Sequence, residues 1–299
     1  MRNGKGLLQG FIEEINNYKL RRSNKMKVLI LGATGFLGSI LYQKALQEES
    51  LTVVGTSRLS NAAKNIISLD VMDKHLVAQT IESIKPDVVI WCLMSMENED
   101  QLIEIGLKNV VTHLSEVTKF IFISTDAVFV DGRGDYDELD PTGLLPSEAR
   151  LAIYVNAKNA GEQYLMKNHP NYVIVRTGPL YGDNHYIEKR TLQIIEHIKE
   201  NKQYNAWENV FRSFVNVHNL SEALIELSKN NVIGILHAGP PQKESYYTFN
   251  KKRVEQLGFD STFICPVIVT KEENPYISLD TSLRTDKISE LLPTVFRNI

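Results

Sequence analysis

Cysteine is nearly missing from this chain. Two residues, Cys92 and Cys265, in a length of 299 give neither a disulfide framework nor a metal-ligand spacing. Such usage suits a reducing compartment, so we expect a cytoplasmic protein with no metal site. Long apolar stretches are missing too. The run Val88-Val-Ile-Trp-Cys-Leu-Met94 is too short to span a bilayer, so no membrane segment is expected, and Cys92 within it reads as a small core hydrophobe. Excess charge of one sign is also absent: 33 Lys and Arg stand against 36 Asp and Glu, a net of −3. Nothing in that balance favours nucleic acid or an anionic membrane surface as the main partner. Repeats and low-complexity segments are not visible. What is there is 43% hydrophobic and 23% charged, the composition of an ordinary globular chain with a sizeable core, long enough for one large or two small domains.

The first 25 residues stand apart with a net charge of +4, so the rest of the chain carries −7. They hold no apolar region of secretory length and no small-residue cleavage site, which argues against a signal peptide. Leu7, Leu8, Phe11, Ile12 and Ile15 have helical spacing. We expect residues 1–25 to form a poorly ordered extension or a short amphipathic helix, with the folded domain starting at Met26-Lys27.

The organising stretch follows at once. Lys27 to Leu31 reads as a buried strand, and Gly32-Ala-Thr-Gly-Phe-Leu-Gly38 turns it into an apolar run at helical spacing (Phe36, Leu37, Ile40, Leu41, Ala45). A strand ending in a glycine turn that opens a helix is a site for a diphosphate. Small residues admit the ligand to the backbone, and the free amides and dipole of the helix N-terminus face the anion.

Strand and helix patterns then alternate. Leu51-Thr-Val-Val-Gly-Thr56 is a second strand, with Ser57-Arg58 at its end and no acidic residue there. An acidic residue at that place binds a ribose hydroxyl, whereas an arginine accommodates a 2′-phosphate, so Arg58 favours NADP(H) with NAD(H) possible; a solvated surface arginine is the plainer alternative. Ile66 to Asp70, Val88 to Met94, Lys119 to Ser124 and Tyr172 to Arg176 read as further strands, with helices expected over 74–84 and 100–117. The fold class is therefore α/β: a Rossmann-type doubly wound parallel sheet over 26–180, with a smaller C-terminal substrate lobe over 181–299, partly interleaved with it. In that lobe we expect helices near 188–201 and 220–230 and short strands at Ser213 to Val217 and Gly234 to Ala238.

Two features at the carboxyl edge of the sheet carry chemistry. Strand five ends in Ser124-Thr125-Asp126, and the next helix carries Tyr154-Val-Asn-Ala-Lys158. Tyr and Lys at i and i+4 share a helix face. A lysine beside a phenol is expected to stabilise the phenolate and lower its pKa, making the tyrosine a usable proton donor. A surface pair is the plainer alternative.

These residues resemble the extended short-chain dehydrogenase/reductase superfamily, and more narrowly the dTDP-4-dehydrorhamnose reductase family of sugar-nucleotide reductases. The matching stretches are Gly32 to Gly38, Lys85-Pro-Asp-Val-Val-Ile90, Ser124-Thr-Asp-Ala-Val-Phe129, Tyr154 to Lys158 running into Ala160-Gly-Glu162, and Arg176-Thr-Gly-Pro-Leu-Tyr-Gly182. The resemblance implies a reductase of a nucleoside-diphosphate 4-keto-6-deoxy sugar. Tyr154 would protonate the ketone oxygen, Lys158 would bind the nicotinamide ribose, and Thr125 would hydrogen-bond the same oxygen. Gly32, Thr34, Gly35, Phe36, Leu37 and Gly38 would hold the pyrophosphate, Asp70 and Val71 the adenine, and Cys92 and Leu93 the cofactor groove. It also implies a role in rhamnose and surface polysaccharide synthesis, and a possible homodimer.

The chain departs from the family at Ala127, where an aromatic residue is usual, at Val155, where glycine is usual, and at Trp91 to Met94, where an Asn-Ala-Ala type segment is usual. The asparagine that often completes the catalytic set has no clear counterpart, Asn109 being the nearest. The loop from Asp131 to Ile153 is several residues longer than usual. Two other functions belong to the same fold: an NAD-dependent sugar-nucleotide epimerase or dehydratase, and a non-catalytic NADP-binding regulatory subunit of the kind found with methionine adenosyltransferase.

Overall fold

The computed structural model describes residues 25–59 and 65–299. The helix or extension expected over 1–25 lies outside them except for Lys25. The core is one sheet. Its strands are β1 (Met26–Leu31), β2 (Leu51–Ser57), β3 (Ile66–Ser68), β4 (Val88–Trp91), β5 (Lys119–Thr125), β6 (Tyr172–Thr177) and a late strand, Gly234–Ala238. They lie in the order 3-2-1-4-5-6-late, and every pairing is parallel. β4 is buried along its whole length, as a parallel strand covered on both faces must be. The expected doubly wound sheet is thus present, with its direction of winding reversing between β1 and β4.

One expectation changes here. Gly234–Ala238, expected in the smaller lobe, is the seventh strand of the main sheet, paired with β6 from Val173 to Thr177. Its apolar Leu236 and Ala238 are fully buried and extend the core that β6 would otherwise expose. Helix boundaries move as well. The helix expected over 220–230 runs Val217–Lys229, because the Asn216 side chain accepts from His218 N and starts it early. The helix expected over 100–117 consists of Glu99–Gln101, a π segment Leu102–Leu107 and Lys108–Val111. Within it a Cβ on Gly106 would stand 2.7 Å from Val71 Cγ2, so only a bare backbone lets this helix close on the end of β3.

Two helices position the site. α1 (Phe36–Ala45) buries Leu37, Leu41, Tyr42 and Ala45 against β1 and β2. The long helix Ala152–Asn168 lies beside β5, where Gly161 allows Phe122 to approach. A buried ion pair ties that helix to the sheet: Arg176 Nη2 is 2.7 Å from Glu162 Oε2, and Ser124 also donates to Glu162. Away from the sheet, the lobe's helices Lys189–Lys199 and Tyr246–Gln256 are joined by a second buried pair, Glu188 with Arg253. The long loop after β5 is stapled by short bridges from Arg133 to Asp280 and Tyr136 to Leu283. Among the described residues no helix is long and apolar enough to cross a membrane.

Candidate active site

Each strand of a parallel sheet points its carboxyl end the same way, so the residues after β1, β2, β4, β5 and β6 meet along one edge. After β1, Gly32 takes φ +87°, the left-handed region that favours glycine. A Cβ on Gly38 would stand 2.0 Å from the Gly32 carbonyl oxygen, so α1 packs directly on the turn. The helix cap is Gly35, which has no side chain to occupy the first amides, and no acidic residue lies in the first turn. A diphosphate fits such a bare helix start. Thr34 and Gly35 are exposed, while Leu37 and Gly38 are buried beneath them. β2 braces the turn: Gly32 N donates to Thr56 Oγ1 at 3.3 Å and Thr34 Oγ1 donates to Ser57 Oγ at 3.3 Å. Phe36 is stacked on Tyr186, with ring centroids 4.9 Å apart.

The neighbouring candidates flank this cradle. Arg58 is exposed at the end of β2. Asp70 is exposed after β3, its carboxylate accepting from Met72 N at 2.9 Å, and Val71 is buried beside it. Cys92 N donates to Leu31 O at 3.0 Å, and Leu93 Cδ2 would lie 2.9 Å from a Cβ on Gly32. The backbone of Cys92 and Leu93 therefore adjoins the turn across the switch point. Burial pushes the Cys92 thiol up to about 12, so it is no nucleophile. Asn109 is turned elsewhere, donating to the carbonyls of Val71 and Met72.

Thr125, Tyr154 and Lys158 meet at the ends of β4 and β5. Thr125 hydrogen-bonds the Tyr154 phenol, accepts from Ala127 N at 3.2 Å and donates to Asp126 Oδ1 at 3.2 Å. Lys158 Nζ lies 6.0 Å from the Tyr154 ring centroid. The electrostatics differ from the expectation of a lowered tyrosine pKa. Burial pushes the Tyr154 phenol upward; Glu99 and Asp126 add to the rise, and only the Thr125 hydrogen bond opposes it. Lys158 is itself engaged with other partners. Its ammonium is 2.9 Å from Glu99 Oε1, with the two side chains 3% and 0% exposed, and it donates to Ile123 O at 3.1 Å and Leu93 O at 3.4 Å. Removing one partner of so buried a pair costs about 3–5 kcal/mol.

Glu99 is the partner that sequence reasoning missed. It sits in the acidic run Glu97-Asn-Glu-Asp100, which reads as a solvated helix start, and no local signal marks it as fully buried. Arg212 and Thr281 were missed as well. Arg212 Nε is 3.8 Å from Asp126 Oδ2, and Thr281 donates to the same oxygen. Burial still pushes the Asp126 carboxyl upward. Both come from the last third of the chain, where spacing says nothing about proximity to strand five.

Comparisons with known proteins bear on this arrangement. The family described as RmlD substrate binding domain matches residues 26–291. Methionine adenosyltransferase 2 subunit beta of Xenopus laevis is 29% identical over 181 residues, 56% of this chain and 51% of the frog protein. The dTDP-4-dehydrorhamnose reductase of Aggregatibacter actinomycetemcomitans is 30% identical over 169 residues, 52% of each chain. Both matches thus span about half the length of these relatives. A crystal structure of dTDP-4-dehydrorhamnose reductase from Bacillus anthracis, in complex with NADP, superposes with a TM-score of 0.73 at 24% identity, covering 91% of this chain and 93% of that one; at that identity the likeness is one of fold. The fold, the glycine turn and the family match over residues 26–291 agree: this chain belongs to the RmlD substrate binding domain family.

Proposed function

We propose that this protein is an NAD(P)H-dependent reductase acting on the keto group of a nucleoside-diphosphate 4-keto-6-deoxy sugar. The observation that carries the reading is the meeting of Thr125, Tyr154 and Lys158 at the sheet edge that also holds the glycine turn. In its reduced form a nicotinamide cofactor would supply the hydride. The turn from Gly32 to Gly38 fits its diphosphate, since Gly35 leaves the helix start uncapped and Gly38 leaves no room for a side chain. Tyr154 donates its proton to the ketone oxygen, and the raised pKa of the phenol keeps that proton in place at neutral pH. Thr125 hydrogen-bonds the same oxygen as charge develops there. Lys158 holds the ribose, and Arg58, with no acid beside it on β2, favours the 2′-phosphate of NADP(H).

Nucleoside-diphosphate 4-keto sugars assayed one by one for NADPH oxidation test the reading. Turnover of at least one is expected, and Tyr154→Phe should lower it by about 10²-fold or more with cofactor affinity unchanged. A second reading rests on the commitment of Lys158 to Glu99 and on the methionine adenosyltransferase beta subunits among the relatives: an NADP-binding regulatory subunit. Tight NADP(H) binding without turnover of any sugar selects it.

A further inference from the structure

We propose that Glu99 is a positioning residue, a buried counter-charge that fixes Lys158 and keeps Tyr154 a neutral proton donor. The inference deepens the reductase reading and rests on it for its catalytic meaning, but the counter-charge itself stands on geometry. Glu99 is 0% exposed. One of its oxygens meets Lys158 Nζ at 2.9 Å, and the other accepts from Ser95 N at 2.6 Å. The carboxylate thus has no freedom to swing away, and the lysine is held from three sides by Glu99, Ile123 O and Leu93 O. A lone ammonium 6.0 Å from a phenol ring would favour the phenolate. Here its charge is cancelled at source.

The groups facing Tyr154 are few. Thr125 and Asp126 come from the end of β5, Glu99 from the start of the helix after β4, and Lys158 from the next turn of the tyrosine's own helix. Asp126 has its own cation, Arg212, at 3.8 Å. Both carboxylates oppose ionisation of the phenol, and burial opposes it more. A reduced nicotinamide cofactor would supply the hydride to the ketone carbon; Tyr154 gives its proton to the ketone oxygen and, left as the phenolate, is reprotonated from solvent. The reverse oxidation needs the phenolate first. A site that withholds it at neutral pH is therefore set to run as a reductase, with alcohol oxidation rising only at high pH.

Titration of cofactor-free protein tests this, reading the tyrosinate absorbance that Tyr154→Phe removes. Glu99→Gln leaves the ammonium uncompensated, and the phenol should ionise about one to two pH units lower. Lys158→Met leaves the carboxylate uncompensated, and ionisation should move upward. The double variant Glu99→Gln/Lys158→Met buries no lone charge, should fold where either single variant does not, and should ionise near the wild-type pH; Glu99→Asp should also restore it. A Tyr154 that titrates alike in wild type and Glu99→Gln overturns the proposal, as does a double variant that stays shifted from wild type. If the shifts occur but no keto sugar is turned over, the counter-charge stands and the reductase reading falls.

Discussion

The two ends of the carboxyl edge are built by different means. On the β1–β2 side, the turn is held by its own glycines and by the next strand: Gly38 rests on the Gly32 carbonyl, and Gly32 donates to Thr56. On the β4–β6 side, the candidate site's charged groups are held by remote partners. Lys158 is held by Glu99, and Asp126 by Thr281, 155 positions away, and by Arg212. The first region is a backbone shape, and backbone shape is encoded by small residues at short spacing. The second is an electrostatic balance, and a balance depends on whichever charges the whole fold delivers. A motif can therefore locate the tyrosine and lysine without telling their ionisation state.

The sharpest way to break this comparison is at Gly38. A side chain there meets backbone, not a flexible neighbour, so α1 would have to lift from β1 and disturb Leu37 and Leu41. Gly38→Val should destabilise the fold by about 3 kcal/mol or more and abolish nucleotide binding. Denaturant unfolding and calorimetric titration with NADPH measure both. Stability and affinity near those of wild type would mean that the turn is not a rigid cradle.

A smaller effect is expected at Arg58, on the same locally built side but at its exposed rim. Arg58→Asp should move preference from NADPH toward NADH by one to two decades, since each ~1.4 kcal/mol of phosphate pairing is tenfold. Titrating both cofactors against the variant decides it, and equal losses for the two would remove Arg58 from cofactor selection.

The legibility of the chain follows the same divide. The existence of β1 to β6 as strands along the chain, the glycine turn and the placing of Tyr154 and Lys158 on one helix are readable, because each depends on periodicity or on residues within a few positions. Gly234–Ala238 was recognised as a strand but not as the seventh of the main sheet, since its partner β6 lies across two helices. Glu99 was invisible because a glutamate in an acidic run is normally solvated, and only the fold reveals that it is the sole carboxylate paired to Lys158 among the described residues. The expected lowering of the tyrosine pKa does not hold, first because the phenol is buried and then because Glu99 and Asp126 both oppose its ionisation.

The mildest test concerns His237, on the seventh strand, and it asks whether remote wiring also sets pH behaviour away from the reacting groups. The ring is fully buried, and Nδ1 lies 3.1 Å from Tyr136 O. A carbonyl can only accept, so Nδ1 carries a proton and donates it to Tyr136 O. Burial, with Arg176 nearby, pushes its pKa from 6.5 down to about 3. Between those values the unfolded chain binds a proton that the folded chain does not, so stability should fall as pH drops through that window and be fully present above it. His237→Phe should flatten this acid slope by up to one proton while costing about 1 kcal/mol at neutral pH through the lost hydrogen bond. Urea unfolding of both proteins at a series of pH values reads the difference. Parallel slopes would place the acid sensitivity elsewhere, on groups such as Asp183 and Glu188 whose carboxyls are held below their ordinary range and whose contribution is also lost as pH falls.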